Sequence, residues 1–135
     1  MNTVRELRQL AMPVGPIGGP WSVRAVAGQA GRAALEVYEA GELIDVLVAS
    51  SLNSEVLRGA RRSRTGGLAW GRLAADGSAP DVAFAQARVR ARWEESEVVV
   101  LAGGFWLAWT SGPALAVMAR RADGGIERLR PARLV

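Results

Sequence analysis

Histidine, cysteine and lysine are all absent from this 135-residue chain, and each absence closes a class of chemistry. Without histidine the commonest general base and the commonest metal ligand are gone. Without cysteine there is no disulfide and no thiolate nucleophile; with imidazole also missing, zinc sites of the usual kinds are excluded. Without lysine there is neither Schiff-base chemistry nor the phosphate-gripping lysine of a P-loop. The glycines between Gly15 and Gly19 are interrupted by Pro16 and lack dinucleotide-binding spacing. No apolar run reaches the ~18 residues of a membrane span. The opening stretch MNTVRELRQLAMPVGPIGGP has neither the apolar core nor the small-residue cleavage site of a signal peptide. These observations predict a chain with no membrane span, no metal and no cofactor, located in the cytoplasm. For chemistry, only carboxylates, arginines, hydroxyls and Tyr38 are left.

What is present is a core-forming composition, half of it hydrophobic, in a length that suits one domain. All 17 basic residues are arginine, against 13 acidic ones. Arginine in place of lysine, beside abundant Ala, Gly and Val, reads as the coding bias of a high-GC bacterium. Such a bias weakens the step from arginine content to nucleic-acid binding.

Thr3 to Leu10 has the spacing of one short helix, with Thr3 as cap and Glu6 three residues on. Breakers follow at Pro13, Gly15, Pro16, Gly18, Gly19 and Pro20, so residues 1–20 are read as an N-terminal helix or arm and its linker. Residues 21–135 are read as a single β-domain. From Trp21 the apolar positions alternate. AALEVYEAGELIDVLVAS is then two strands joined across Ala40-Gly41. An even register pairs Val37 with Ile44 and Leu35 with Val46, gathering four apolar side chains on one face. It also sets Glu36 directly opposite Asp45. Residues 51–63 are the internal segment that resembles a helix, with Leu52, Val56 and Ala60 at helical spacing and Arg58, Arg61 and Arg62 toward its C-terminal end. Short strands separated by DGSAPD, Gly103-Gly104, SGPA and Asp123-Gly124-Gly125 complete the chain. The fold class expected is all-β, an antiparallel sandwich or small barrel with one inserted helix. The expected core includes Val23, Val37, Ile44, Val46, Val98, Val100, Leu107 and Trp109.

GGFWLAWTSGP, Gly103 to Pro113, holds three of the eight aromatic residues. A two-residue Gly-Gly turn would pair Val100 with Leu107 and Val98 with Trp109. Phe105, Leu107 and Trp109 would share one face, and Trp106 and Ala108 the other. A strand apolar on both sides is expected to be covered on both sides. The alternative exposes Trp106 as an anchor for a partner, since Trp is enriched at interface hot spots. The run from Gly104 to Pro113, followed by a strand and the Asp123-Gly124 turn, resembles a hairpin pattern in small β-domains of high-GC actinobacterial proteins. The resemblance covers the last third of the chain. It implies a small β-domain, of a kind that in several proteins sits outside the membrane behind a helix this chain lacks, and it carries no activity and no functional residue.

Two charge patterns bear on function. Glu36 facing Asp45 could serve acid–base hydrolysis or calcium; the plainer reading is a solvated hairpin face beside Arg24 or Arg32. Arg88, Arg90 and Arg92 alternate with Val89, Ala91 and Trp93, so they project from one strand face. Trp93 points away from them, which is poor geometry for stacking single-stranded bases. The sequence therefore predicts a non-catalytic binding or assembly module. It would contact a protein partner or a second copy through Arg58, Arg61, Arg62, Arg88, Arg90, Arg92 and Trp106, or through the N-terminal arm. The alternative is a nucleic-acid-binding β-domain, and a third reading is a carboxylate-dependent hydrolase.

Overall fold

The computed structural model describes residues 4–7, 13–14, 19–27, 32–49, 54–87 and 92–133. Among them there is no helix, and fourteen strands form three sheets. The N-terminal strands are β1 (Val4–Leu7) and β2 (Pro13–Val14). A meander follows of β3 (Trp21–Ala27), β4 (Ala33–Glu39) and β5 (Glu42–Val48). Next come β6 (Leu57–Ser63), β7 (Gly66–Arg72), β8 (Asp81–Ala85) and β9 (Trp93–Ser96). The chain continues through β10 (Val98–Leu101), β11 (Phe105–Thr110), β12 (Ala116–Arg120), β13 (Ile126–Leu129) and β14 (Ala132–Arg133).

A six-stranded sheet, ordered β1-β10-β11-β7-β6-β14, forms the middle layer. One face meets the sheet β2-β3-β4-β5 and the other meets β13-β12-β8-β9. The ladders are antiparallel except at the margins of the middle sheet, where β1 runs parallel to β10 and β14 parallel to β6. The layering follows from side-chain alternation. On β11, Phe105 and Leu107 enter one apolar layer with Trp21, Val23, Leu35, Val37, Leu47, Leu68 and Trp70. Trp106 and Ala108 enter the other, with Val56, Ala69, Phe84, Val98, Val117 and Ala119. A strand apolar on both faces is thus the centre of the stack. Each fully buried Val, Leu or Phe adds about 1.5–3 kcal/mol.

Three expectations are corrected by single-residue shifts. The predicted helix over 51–63 is strand β6 from Leu57 onward; residues 51–53 lie outside the described residues. Part of its helical look arises from a bulge at Arg58, while Val56, just before the strand, enters the same apolar layer as Ala60. Leu57 pairs with Gly71 and Ala60 with Ala69, so residues three apart share one face because one extra residue lies between them. The hairpin of β4 and β5 keeps its two-residue turn, Glu39 facing Glu42 across Ala40 (φ 50°) and Gly41 (φ 83°). A bulge between Val37 and Tyr38 then moves the register, pairing Val37 with Asp45 and Leu35 with Leu47. Leu47 replaces Val46 in the core, and Val46 is 42% exposed. The β10–β11 turn spans Ala102-Gly103-Gly104, so Val99 pairs with Leu107 and Val98 with Ala108. Val99 and Leu101 consequently take the position expected for Val100.

At the N-terminus, the part of the expected helix that is described, residues 4–7, is a strand laddered to β10, because the edge of the middle sheet offers it unpaired backbone groups. Pro13 and Val14, within the expected linker, pair with Arg24 and Val23.

Candidate functional site

The arginines divide into those given a carboxylate and those left without one. Arg58 and Arg61 project from β6 toward the β3–β5 sheet and each meets one acid. Arg61 donates to Glu39 through Nε to Oε1 at 3.0 Å and Nη2 to Oε2 at 2.6 Å, and Trp21 Nε1 donates to Oε1 at 3.0 Å. Arg58 donates to Asp45 at 3.1 and 3.0 Å, and Trp70 Nε1 donates to Oδ2 at 2.8 Å. These are two-pronged, charge-assisted contacts, the strong kind of hydrogen bond. The bonds from Arg61 hold the Glu39 carboxyl below its ordinary range; burial opposes them, and Trp21 assists. Burial pushes the Asp45 carboxyl up, but Arg58, Trp70 and the Val46 N–H together outweigh it and leave it lowered. Hydrogen bonds to these acids raise Arg58 and Arg61 in turn. Gly59 makes the second cluster possible. A Cβ there would stand 2.5 Å from the Trp70 ring, so the bare backbone lets the indole lie across it and reach Asp45.

On the other face, Glu127 of β13 accepts the N–H groups of Val56 (3.0 Å) and Leu57 (2.9 Å) and Arg121 Nη1 at 2.8 Å. Trp106 is fully buried there and donates its indole N–H to Val56 O at 2.9 Å. A partner therefore cannot reach its ring. Glu36 pairs with Val46, while Asp45 faces the core, so the carboxylate pair needed by the hydrolase reading does not form. Glu36 instead accepts the Tyr38 hydroxyl at 2.9 Å and lies 3.8 Å from Arg24. The described residues contain no group of three or more acids that could hold a metal ion.

Arg62 differs from its neighbours. It pairs with Gly67 on the face opposite Arg61, and its Nε is buried with no acceptor among the described residues. Its side chain lines a groove of about 740 Å³ with Ser63, Arg64, Thr65, Pro113 and Leu115. The groove is built by the β6–β7 hairpin. Ser63 faces Gly66 across the two-residue turn Arg64-Thr65, and Ser63 Oγ accepts the Thr65 N–H at 3.2 Å. A Cβ on Gly66 would stand 2.3 Å from Thr110 O, and one on Gly67 would stand 2.3 Å from the Ala114 Cβ. The paired glycines thus bring the Ser111–Leu115 loop down beside the two arginines. A second groove of about 490 Å³ adjoins the first and shares Thr65 with it; Glu94, Glu95, Glu97, Ser96, Trp109 and Ser111 line it. Neither Glu94 nor Glu95 forms an ion pair among the described residues.

The arginines singled out in the sequence are therefore dispersed. Arg58 and Arg61 are committed to internal acids. Arg62 lines the groove. Arg92 is exposed, with its carbonyl accepting the Gln86 N–H at 2.7 Å. Arg88 and Arg90 lie outside the described residues. Arg64 and Thr65 stand just past the expected helix, in a stretch that reads as a turn; the helical reading of 51–63 concealed that this turn is the tip of a hairpin between two strands. No family model, no curated protein and no solved structure matches the chain.

Proposed function

We propose that the chain is a non-catalytic binding module that takes an acidic segment of a protein partner into the Arg62–Arg64 groove. One observation carries the reading: Arg62 and Arg64 line the groove together, and neither has a carboxylate within ion-pair distance among the described residues. Arg24, Arg58, Arg61 and Arg121 all have acids within 4 Å, so the fold supplies carboxylates where guanidinium groups serve stability. At Arg62 and Arg64 the acceptor is left for a ligand.

The adjoining acidic groove disfavours a nucleic acid. A polyanion leaving Arg62 would run onto Glu94 and Glu95 at the shared Thr65, and prolines rather than exposed aromatic rings flank the arginines. The β1 and β2 ladders take described parts of the N-terminal arm into the sheets, so the groove carries the reading alone.

Titration calorimetry with a poly-glutamate peptide tests it. Binding is expected at low salt, and Arg62→Gln together with Arg64→Gln should weaken it roughly tenfold or more, the worth of one lost charge-assisted bond. Equal binding by wild type and variant, or binding of a single-stranded oligonucleotide in preference to the peptide, would reject the reading.

A further inference from the structure

The two grooves lie side by side, carry opposite charge and share a wall. Arg62 and Arg64 supply the positive one, Glu94 and Glu95 the negative one, and Thr65 lines both. The ridge between them continues along the loop after β11: Ser111 faces the acidic groove, and Pro113 and Leu115 the basic one. A surface built this way is its own complement. A twofold axis through the ridge exchanges the grooves and sets the positive one of each molecule against the negative one of the other. Both halves of such an interface are then attractive, which is the isologous condition for a closed dimer.

We infer that the acidic segment taken by the Arg62–Arg64 groove is the Glu94–Glu95 groove of a second copy of this chain, packed about a twofold axis near Thr65. The inference rests on the function proposed above and names the partner. An unrelated peptide would need acidic and basic residues at matching positions to use both grooves; a second copy carries them by construction. It also sets the facing glutamates against two groove-lining arginines that have no carboxylate of their own among the described residues. The apolar wall of Pro113 and Leu115 provides contact area that charges alone do not, and the long arginine stems can cover it.

Charge exchange on the full chain tests this, with mass read by light scattering across protein concentration at low salt. Wild type should pass from monomer to dimer as concentration rises and return to monomer in high salt, because exposed charges are screened. R62E/R64E and E94R/E95R should each weaken dimerisation by roughly a hundredfold, since each places like charges together in both halves. Mixed in equal amounts, the two variants should form a one-to-one heterodimer as tightly as wild type. Circular dichroism checks that each variant is folded; if R62E/R64E is not, R64E at the exposed turn takes its place with a smaller loss. A wild type that stays monomeric at every concentration overturns the inference. So does a wild-type dimer that the charge reversals leave intact, or one that the variant mixture does not restore. Poly-glutamate binding by E94Q/E95Q, which unloads the acidic groove without adding cations and leaves the basic groove untouched, separates the two claims. If it binds while wild type is monomeric, the groove reading stands and its partner is another chain. If it does not, both fall.

Discussion

The two faces of the middle sheet are filled in different ways. Toward β3–β5 the layer is built from large side chains, Trp21, Trp70, Phe105 and several leucines, and two arginine–carboxylate–indole clusters cross it. Toward β8–β13 the layer is thick with alanine at positions 60, 69, 108, 114 and 119. Trp106 and Phe84 fill the space the alanines leave. The charged contact there runs from Glu127 to backbone N–H groups, with Arg121 behind it. On the first face, polar side chains from both sheets meet each other. On the second, one acid completes the backbone of β6 at its bulge. Specific ion pairs fix which strand lies over which, whereas an alanine-rich layer depends on a few large rings to exclude voids.

This contrast can be broken most strongly at the largest ring. Trp106→Ala should cost about 4 kcal/mol, because it opens a cavity among small neighbours and removes one of the two N–H donors to Val56 O, leaving that of Arg72. Urea denaturation would measure it, and a loss under about 1 kcal/mol would mean that the alanine layer can collapse onto the gap. Next is the Glu39 cluster. Glu39→Gln leaves the Arg61 guanidinium, 24% exposed, without its counter-charge. The expected loss is about 2–3 kcal/mol, less than for a fully buried pair because water still reaches the arginine. The double change Glu39→Leu with Arg61→Met should recover only part of it: a well-packed apolar pair tends to match a buried ion pair, but the buried Trp21 indole N–H loses its acceptor. If the double variant is as weak as the single one, the cluster contributes through orientation that hydrophobes cannot reproduce.

Acid should separate the faces more gently. Glu39 and Asp45 have folded pKa values lowered from ordinary values of 4.5 and 3.8. Groups lowered in this way contribute stability that is fully present above the unfolded pKa. That stability is lost as pH falls through the folded one, because the unfolded chain then binds the more protons. Stability should therefore hold near neutrality and decline below about pH 4.5. Asp45→Asn should flatten that decline. A denaturation midpoint unchanged down to pH 3, or equal slopes in wild type and variant, would show that the clusters are not linked to folding.

The layered β architecture was legible because it depends on alternation alone. Phe105, Leu107, Trp106 and Ala108 are apolar on successive faces whatever their partners, and a central strand follows directly. Partners were harder to read, because each error came from one inserted residue. The bulge within β5 turns Asp45 inward and Val46 outward. The bulge at Arg58 disguises a strand as a helix. A third turn residue at Ala102 exchanges the roles of Val99 and Val100. Composition carries no mark of such insertions, since the residues involved are ordinary in strands. For the same reason the arginines were visible while their roles were not. Whether Arg61 or Arg62 meets an acid depends on which side of β6 each falls, and the bulge sets that parity.

The bulge in β5 has an effect on the border of its sheet as well. Leu43, Val46 and Val48 stand bare along an outermost strand, a setting that ordinarily invites another chain to zip on. Here the bulge at Ile44 interrupts the rim, beside an Asp45 carboxylate held by Arg58 and Trp70. A newcomer would find its ladder broken at that extra residue after only a few rungs. The greasy rim is thus guarded by a break placed in its middle, and the chain can display those side chains to solvent without growing ribbons from them.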